Sequence, residues 1–159
     1  MPTLVVVRHG EAERAAPGTD DIDRQLARQG RADAAAAGQW VAEHVGRPGL
    51  VVGSPALRAR QTVDALVAAW DERPTTVVDE AVYEASLGDL LRVVRGLDDD
   101  EDVIALVGHN PGLSLLVGEL TSEPSDLATS SVAVVEVPSA WADTPAFACR
   151  LVSLETPRA

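Results

Sequence analysis

A three-layer α/β/α sandwich around a mostly parallel sheet is the fold class this 159-residue sequence predicts. Two observations predict it. Short β-branched runs alternate with Ala- or Leu-rich segments of helical period, the pattern of βαβ units. Three of those runs also stop abruptly at a polar cluster, as buried parallel strands do where they leave a sheet.

Residues 4–7 (Leu-Val-Val-Val) form the first strand, ending at Arg8-His9-Gly10. Residues 11–29 are polar and contain Pro17-Gly18, so they read as an extended loop. An Ala-rich helix is expected over 30–44, with Trp40, Val41 and Val45 at helical spacing. After the Pro48-Gly49 turn, 50–52 is a second buried strand. Ser54 then suits an N-cap and Pro55 a first helical position, opening a helix that runs to about residue 70.

Residues 75–78 are a third strand, and 87–97 place Leu87, Leu90, Leu91, Val94 and Leu97 on one helical face. A fourth strand, 103–107, ends at Gly108-His109-Asn110, with Pro111 as the first residue of a helix over 111–120. Two late strands are expected at 132–137 and 147–154. No repeat, linker or composition change divides the chain, so 1–159 reads as one domain.

Composition narrows the function. The formal net charge is −12, which argues against nucleic acid or an anionic membrane as partner. The N-terminal apolar run is too short for a signal peptide or a span, and the expected compartment is the cytoplasm. All thirteen basic residues are Arg, eight of them in the first sixty positions, so any anion site must be made locally. The acidic block Asp98-Asp99-Asp100-Glu101-Asp102 reads as a solvated loop. Cys149, the single cysteine, reads as a small core residue, and His44 as an ordinary helix-surface residue.

The chemistry gathers where the strands end. In an open parallel sheet, ligands sit beyond the carboxyl ends of the strands. That edge would bring together Arg8-His9-Gly10, Ser54 with Arg58 one turn on, and His109-Asn110. Two guanidinium groups, helix N-terminal amides near Ser54 and Asn110, and a second histidine suit a dianionic phosphoryl group. A histidine there could attack phosphorus in line. A zinc site built on His9 and His109 is disfavoured, because Arg8 would repel a cation and no carboxylate or thiol is placed with them; no metal or cofactor is expected.

These residues carry a resemblance. Leu4-Val5-Val6-Val7-Arg8-His9-Gly10-Glu11 resembles the signature of the histidine phosphatase superfamily, which includes the phosphoglycerate mutases. The stretch from Ser54-Pro55-Ala56-Leu57-Arg58 to Thr62 resembles its second motif, and Val107-Gly108-His109-Asn110-Pro111-Gly112 its third. Length, the Leu26 to Gly30 step, Tyr83-Glu84 and Ser130-Ser131-Val132 are most similar to the small SixA-type phosphohistidine phosphatases.

The resemblance implies a phosphoglycerate mutase-like fold without lid insertions. It makes His9 the nucleophile and Arg8, Arg58 and His109 phosphate contacts, with Gly10 and Asn110 supporting them. The family's acid/base glutamate falls between the second and third motifs, an interval that Glu84 occupies. The alternative for Glu84 is a carboxylate favoured at a helix start, and Glu11 and Glu13 are lesser acid candidates. The implied substrate is phosphohistidine on a protein such as a phosphotransfer domain. The alternatives are a small phosphorylated metabolite or sugar phosphate and, further off, a non-catalytic phosphate-binding module.

Overall fold

The computed structural model describes all of residues 1–159. Its strands are β1 (Thr3–Arg8), β2 (Leu50–Gly53), β3 (Thr75–Val78), β4 (Val103–Gly108), β5 (Val132–Glu136) and β6 (Arg150–Glu155). Its helices are α1 (Arg28–His44), α2 (Leu57–Ala68), α3 (Leu87–Arg95) and α4 (Gly112–Thr121). Short 3-10 turns cover Asp21–Asp23, Glu80–Val82 and Trp141–Asp143. No helix is long and apolar enough to cross a membrane.

All six strands share one sheet in the order β3-β2-β4-β1-β5-β6. The first four are mutually parallel, while β5 runs antiparallel to both β1 and β6. The α/β class and the mostly parallel sheet are therefore as the sequence predicts.

Strand side chains alternate between the two faces, and each face has its own core. Val5, Val7, Val51, Ala105 and Val107 pack under α1 and α2, against Ala37, Val41, Ala59 and Leu66. Leu4, Val6, Ile104 and Leu106 pack under α3 and α4, against Leu90, Val94, Leu113 and Leu116. Burying each Val or Leu contributes about 1.5–3 kcal/mol, so small aliphatic residues hold the sheet with few aromatics. Among them Trp141 is fully buried and fills the second face. Cys149 is buried in the same core, where burial pushes its thiol up from the ordinary value. His44 is exposed and stacks on Trp40 at 4.6 Å.

Several local expectations need correction. Helix α1 begins at Arg28, two residues earlier than its Ala-rich run suggests. Helix α2 starts only at Leu57, after Ala56, so Ser54 is not its N-cap nor Pro55 its first residue. Pro111 is the N-cap of α4 rather than its first residue. Strand β6 begins at Arg150, because Phe147 has a φ of 62° and cannot lie in a strand. The capping signal does operate at α3, where Ser86 and Asp89 form a reciprocal capping box.

Register fixes what meets at the carboxyl edge. Arg8 of β1 pairs with Gly108 of β4, and Gly53 of β2 pairs with Val107. His9, Ser54 and His109 are thus the first residues past three neighbouring strand ends. The start of α1 packs backbone to backbone on Gly10 and Glu11, just past His9. A Cβ at Gly10 would lie 2.6 Å from the Gly30 carbonyl oxygen, so only glycine permits this approach.

Candidate active site

The three strand ends open into a cavity of about 400 Å³ lined by Arg8, His9, Glu11, Ala12, Asp21, Arg24, Arg58, Tyr83, Glu84, His109, Asn110 and Thr129. Of the residues singled out in the sequence, Arg8, His9, Glu11, Arg58, Glu84, His109 and Asn110 are brought together here, and Ser54 and Glu13 are not in the lining. Gly10 lies behind His9.

His9 is 8% exposed, and its Nδ1 lies 2.7 Å from the Gly10 carbonyl oxygen. A carbonyl only accepts, so Nδ1 carries the proton and Nε2 keeps its lone pair in the neutral ring. Burial, with Arg58 and Arg8 nearby, pushes the His9 pKa down to about 4 despite that hydrogen bond. At neutral pH the imidazole is therefore uncharged and nucleophilic.

The His109 ring lies 5.0 Å from that of His9, centroid to centroid. Burial, then the charges of His9 and Arg58, pushes its pKa down to about 3. The Ser54 hydroxyl sits 2.7 Å from His109 Nε2 and already accepts the Ala56 N–H at 3.1 Å. If the hydroxyl proton goes to Nε2, Nδ1 carries the hydrogen of the neutral ring. His109 Nδ1 and Arg8 Nε are both buried and have no protein partner, which leaves a polar atom unsatisfied on each of two cavity residues.

The two arginines are anchored differently. Arg8 Nη1 donates to the Leu127 carbonyl at 2.9 Å, and Asn110 Nδ2 donates to the same oxygen at 2.8 Å. Asn110 Oδ1 accepts from Ser114 Oγ at 2.9 Å. The Asn110 side chain therefore braces the loop behind Arg8. Arg58, almost fully buried, donates through Nη1 to the Asp21 carbonyl at 2.8 Å and through Nη2 to Asp21 Oδ2 at 3.1 Å.

Gly10 links the first two motifs. Its N–H donates to Thr62 Oγ1 at 3.1 Å, and that hydroxyl donates to the Arg58 carbonyl at 2.8 Å. Both Gly10 backbone groups are committed to the protein, so its support is to hold His9. The Ser54 amide likewise donates to Val107 at 3.1 Å and is not free for an anion.

Asp21, Arg24 and Tyr83 complete the cavity. Tyr83 OH donates to Asp21 Oδ2 at 2.6 Å, and Arg24 Nη1 donates to Asp21 Oδ1 at 3.0 Å. The Tyr83 hydrogen bond first, then Arg24 and Arg58, holds the Asp21 carboxyl well below the usual range. The same bond pushes the Tyr83 phenol up to about 12. Glu84 is exposed on the cavity rim with a φ of 52°, just ahead of the α3 cap at Ser86.

The family model described as histidine phosphatase superfamily (branch 1) matches residues 4–101, more than half of the chain. The chain belongs to the histidine phosphatase superfamily. The match spans the first two motifs, and the fold adds the third by pairing β4 with β1. The phosphatase is 30% identical to an uncharacterised protein of Mycobacterium tuberculosis, over 96% of this chain and all of that one.

Among solved structures, one from Nakamurella multipartita assigned as a phosphohistidine phosphatase SixA superposes on the phosphatase with a TM-score of 0.87. The two are 30% identical, over 99% of this chain and 97% of that one. A second SixA assignment, from Agrobacterium tumefaciens, gives 0.85 at 28% identity, over 99% of both chains. The phosphatase thus has the phosphoglycerate mutase-like fold.

Proposed function

We propose that this phosphatase hydrolyses phosphohistidine on a protein, by way of a phosphohistidine intermediate on its own His9. The observation that carries the mechanism is the buried His9 with Nδ1 bonded to the Gly10 carbonyl, so that Nε2 is the free nucleophile beside Arg8, Arg58 and His109. Nε2 attacks phosphorus as the bond to the substrate imidazole breaks. The electron pair of that bond returns to the leaving nitrogen. Water then displaces His9, the electron pair of the P–N bond returns to Nε2, and dihydrogen phosphate departs carrying both water protons.

Arg8 and Arg58 take the phosphoryl oxygens with His109 beside them, and Asn110 and Gly10 keep Arg8 and His9 in place. Charge neutralisation and positioning are what phosphoryl transfer chiefly requires.

Three features favour phosphohistidine over a phosphomonoester. An imidazole that carries its proton leaves without an acid, whereas an alkoxide needs one, worth roughly a hundredfold or more. Glu84 is exposed and has no side-chain hydrogen bond that would orient it as such an acid. The likeness to SixA-assigned proteins covers 99% of the chain at 28–30% identity.

The test is a panel of phosphohistidine peptide, sugar phosphate and alkyl phosphate assayed side by side. Phosphohistidine is expected to be turned over fastest. Rapid turnover of sugar phosphates with none on phosphohistidine would replace this reading with a metabolite phosphatase. No turnover of any substrate would leave only a phosphate-binding module.

A further inference from the structure

The charges lining the cavity bear on which phosphorylated molecules fit. Around His9 and His109, both neutral at pH 7, stand Arg8 and Arg58. Glu11, Asp21, Glu84 and Arg24 complete the charged lining. Three guanidinium groups therefore face three carboxylates, and the lining as a whole is close to neutral.

The partners decide which of these charges are left over. Asp21 pairs with both Arg58 and Arg24. Glu11 and Glu84 take part in none of the chain's ion pairs, and both are exposed. A phosphoryl dianion seated on Arg8 and Arg58 would thus have two uncompensated carboxylates around it. Beyond them lies a protein of net charge −12. Like charges brought together in a cleft repel, and opposite charges are drawn in.

We infer that Glu11 and Glu84 act as a specificity rim, admitting a phosphoryl group whose neighbouring atoms carry positive charge and turning away one with a second anion beside it. A protonated phosphoimidazole, or a phosphorylated side chain among Lys and Arg, fits this pattern. A phosphorylated carboxylic acid or a polyphosphate does not. The inference rests on the phosphoryl group being bound at His9. It does not require the phosphorylated atom to be nitrogen.

The experiment uses three aryl phosphates matched in leaving-group strength, bearing an ammonium group, no charge or a carboxylate. Their leaving groups depart without a proton, so any acid role of Glu84 drops out. The ammonium substrate is expected to have the highest kcat/KM and the carboxylate substrate the lowest. Glu11→Gln and Glu84→Gln should each shrink that ratio by about fivefold, the size of one partly exposed ion pair. Added salt should shrink it too, because these charges are solvent-exposed.

A wild-type ratio near one, or a ratio that neither substitution alters, would overturn the rim. Two controls separate this from failure of the underlying readings. Activity surviving His9→Ala would move the phosphoryl site elsewhere and fail the His9 reading itself. A charge preference without any turnover of phosphohistidine peptide would keep the rim and fail only the phosphohistidine reading.

Discussion

Asp21→Ala isolates how the buried Arg58 is held. The Arg58 side chain is 8% exposed and that of Asp21 is 51% exposed, so the pair sits at the boundary between interior and solvent. Alanine keeps the backbone carbonyl that binds Nη1 but removes the carboxylate that binds Nη2, Arg24 and Tyr83. A hydrogen bond to a charged group contributes about 1.5–3 kcal/mol when buried, and solvent at Asp21 reduces this to about 1–2 kcal/mol. That is roughly a five- to thirtyfold loss in kcat/KM for p-nitrophenyl phosphate, with a thermal melt run alongside to confirm folding. Asp21→Asn retains one acceptor oxygen and is expected to lose less. An Asp21→Ala protein as fast as wild type, or faster, would mean that the carboxylate does not hold Arg58 for catalysis. Asp21 would then be competing with the phosphoryl group for Arg58 instead of positioning it.

Other predictions follow from the same contacts. Titrating the free protein by imidazole NMR should find His9 and His109 protonating near 4 and near 3, and a midpoint near 6.5 for either would contradict their burial. Both values lie below that of an unfolded histidine, so the unfolded state binds more protons between about pH 4 and 6.5 and stability must rise with pH across that window. Asp21 contributes in the same sense at lower pH: its depressed pKa gives stability that is present above about pH 4 and is lost as pH falls further. Thr62→Ala strips the hydroxyl that takes the Gly10 N–H and leaves that amide unpaired in the interior. It should cost about 1–3 kcal/mol in denaturant melts and lower activity, while Thr62→Ser restores most of both; an unchanged melting midpoint for Thr62→Ala would refute the link.

The sequence makes the strand-end residues legible because their signal is local. Arg8-His9-Gly10 and Gly108-His109-Asn110 each interrupt an apolar run, and parallel pairing of β1 with β4 is what makes two such interruptions neighbours. Arg58 follows from its place one turn beyond the β2 end. Asp21 carries no comparable mark. It lies among Asp20, Ile22 and Asp23 in a polar stretch, and its partners Arg58 and Tyr83 are 37 and 62 positions away. Only the folded loop reveals that one of several aspartates is the one that binds Arg58.

Ser54 illustrates a different difficulty. Serine before proline suggests a helix cap, but the same hydroxyl also serves a histidine delivered by another strand. Capping preference is a local energy of about 1 kcal/mol, and the contact at the strand ends outweighs it. The same limit explains the early start of α1. Arg28 and Gln29 are neither apolar nor alanine, yet the approach of Gly30 to the first motif fixes where the helix begins.

His9 Nε2 is the atom proposed to take the phosphoryl group. Its most direct measurement is mass spectrometry of enzyme mixed with a phosphoryl donor and quenched in alkali, where phosphohistidine survives. One phosphoryl group is expected on the peptide containing His9, absent from His9→Ala, which should also be inactive. A phosphoryl group on another residue, or turnover retained by His9→Ala, would contradict it.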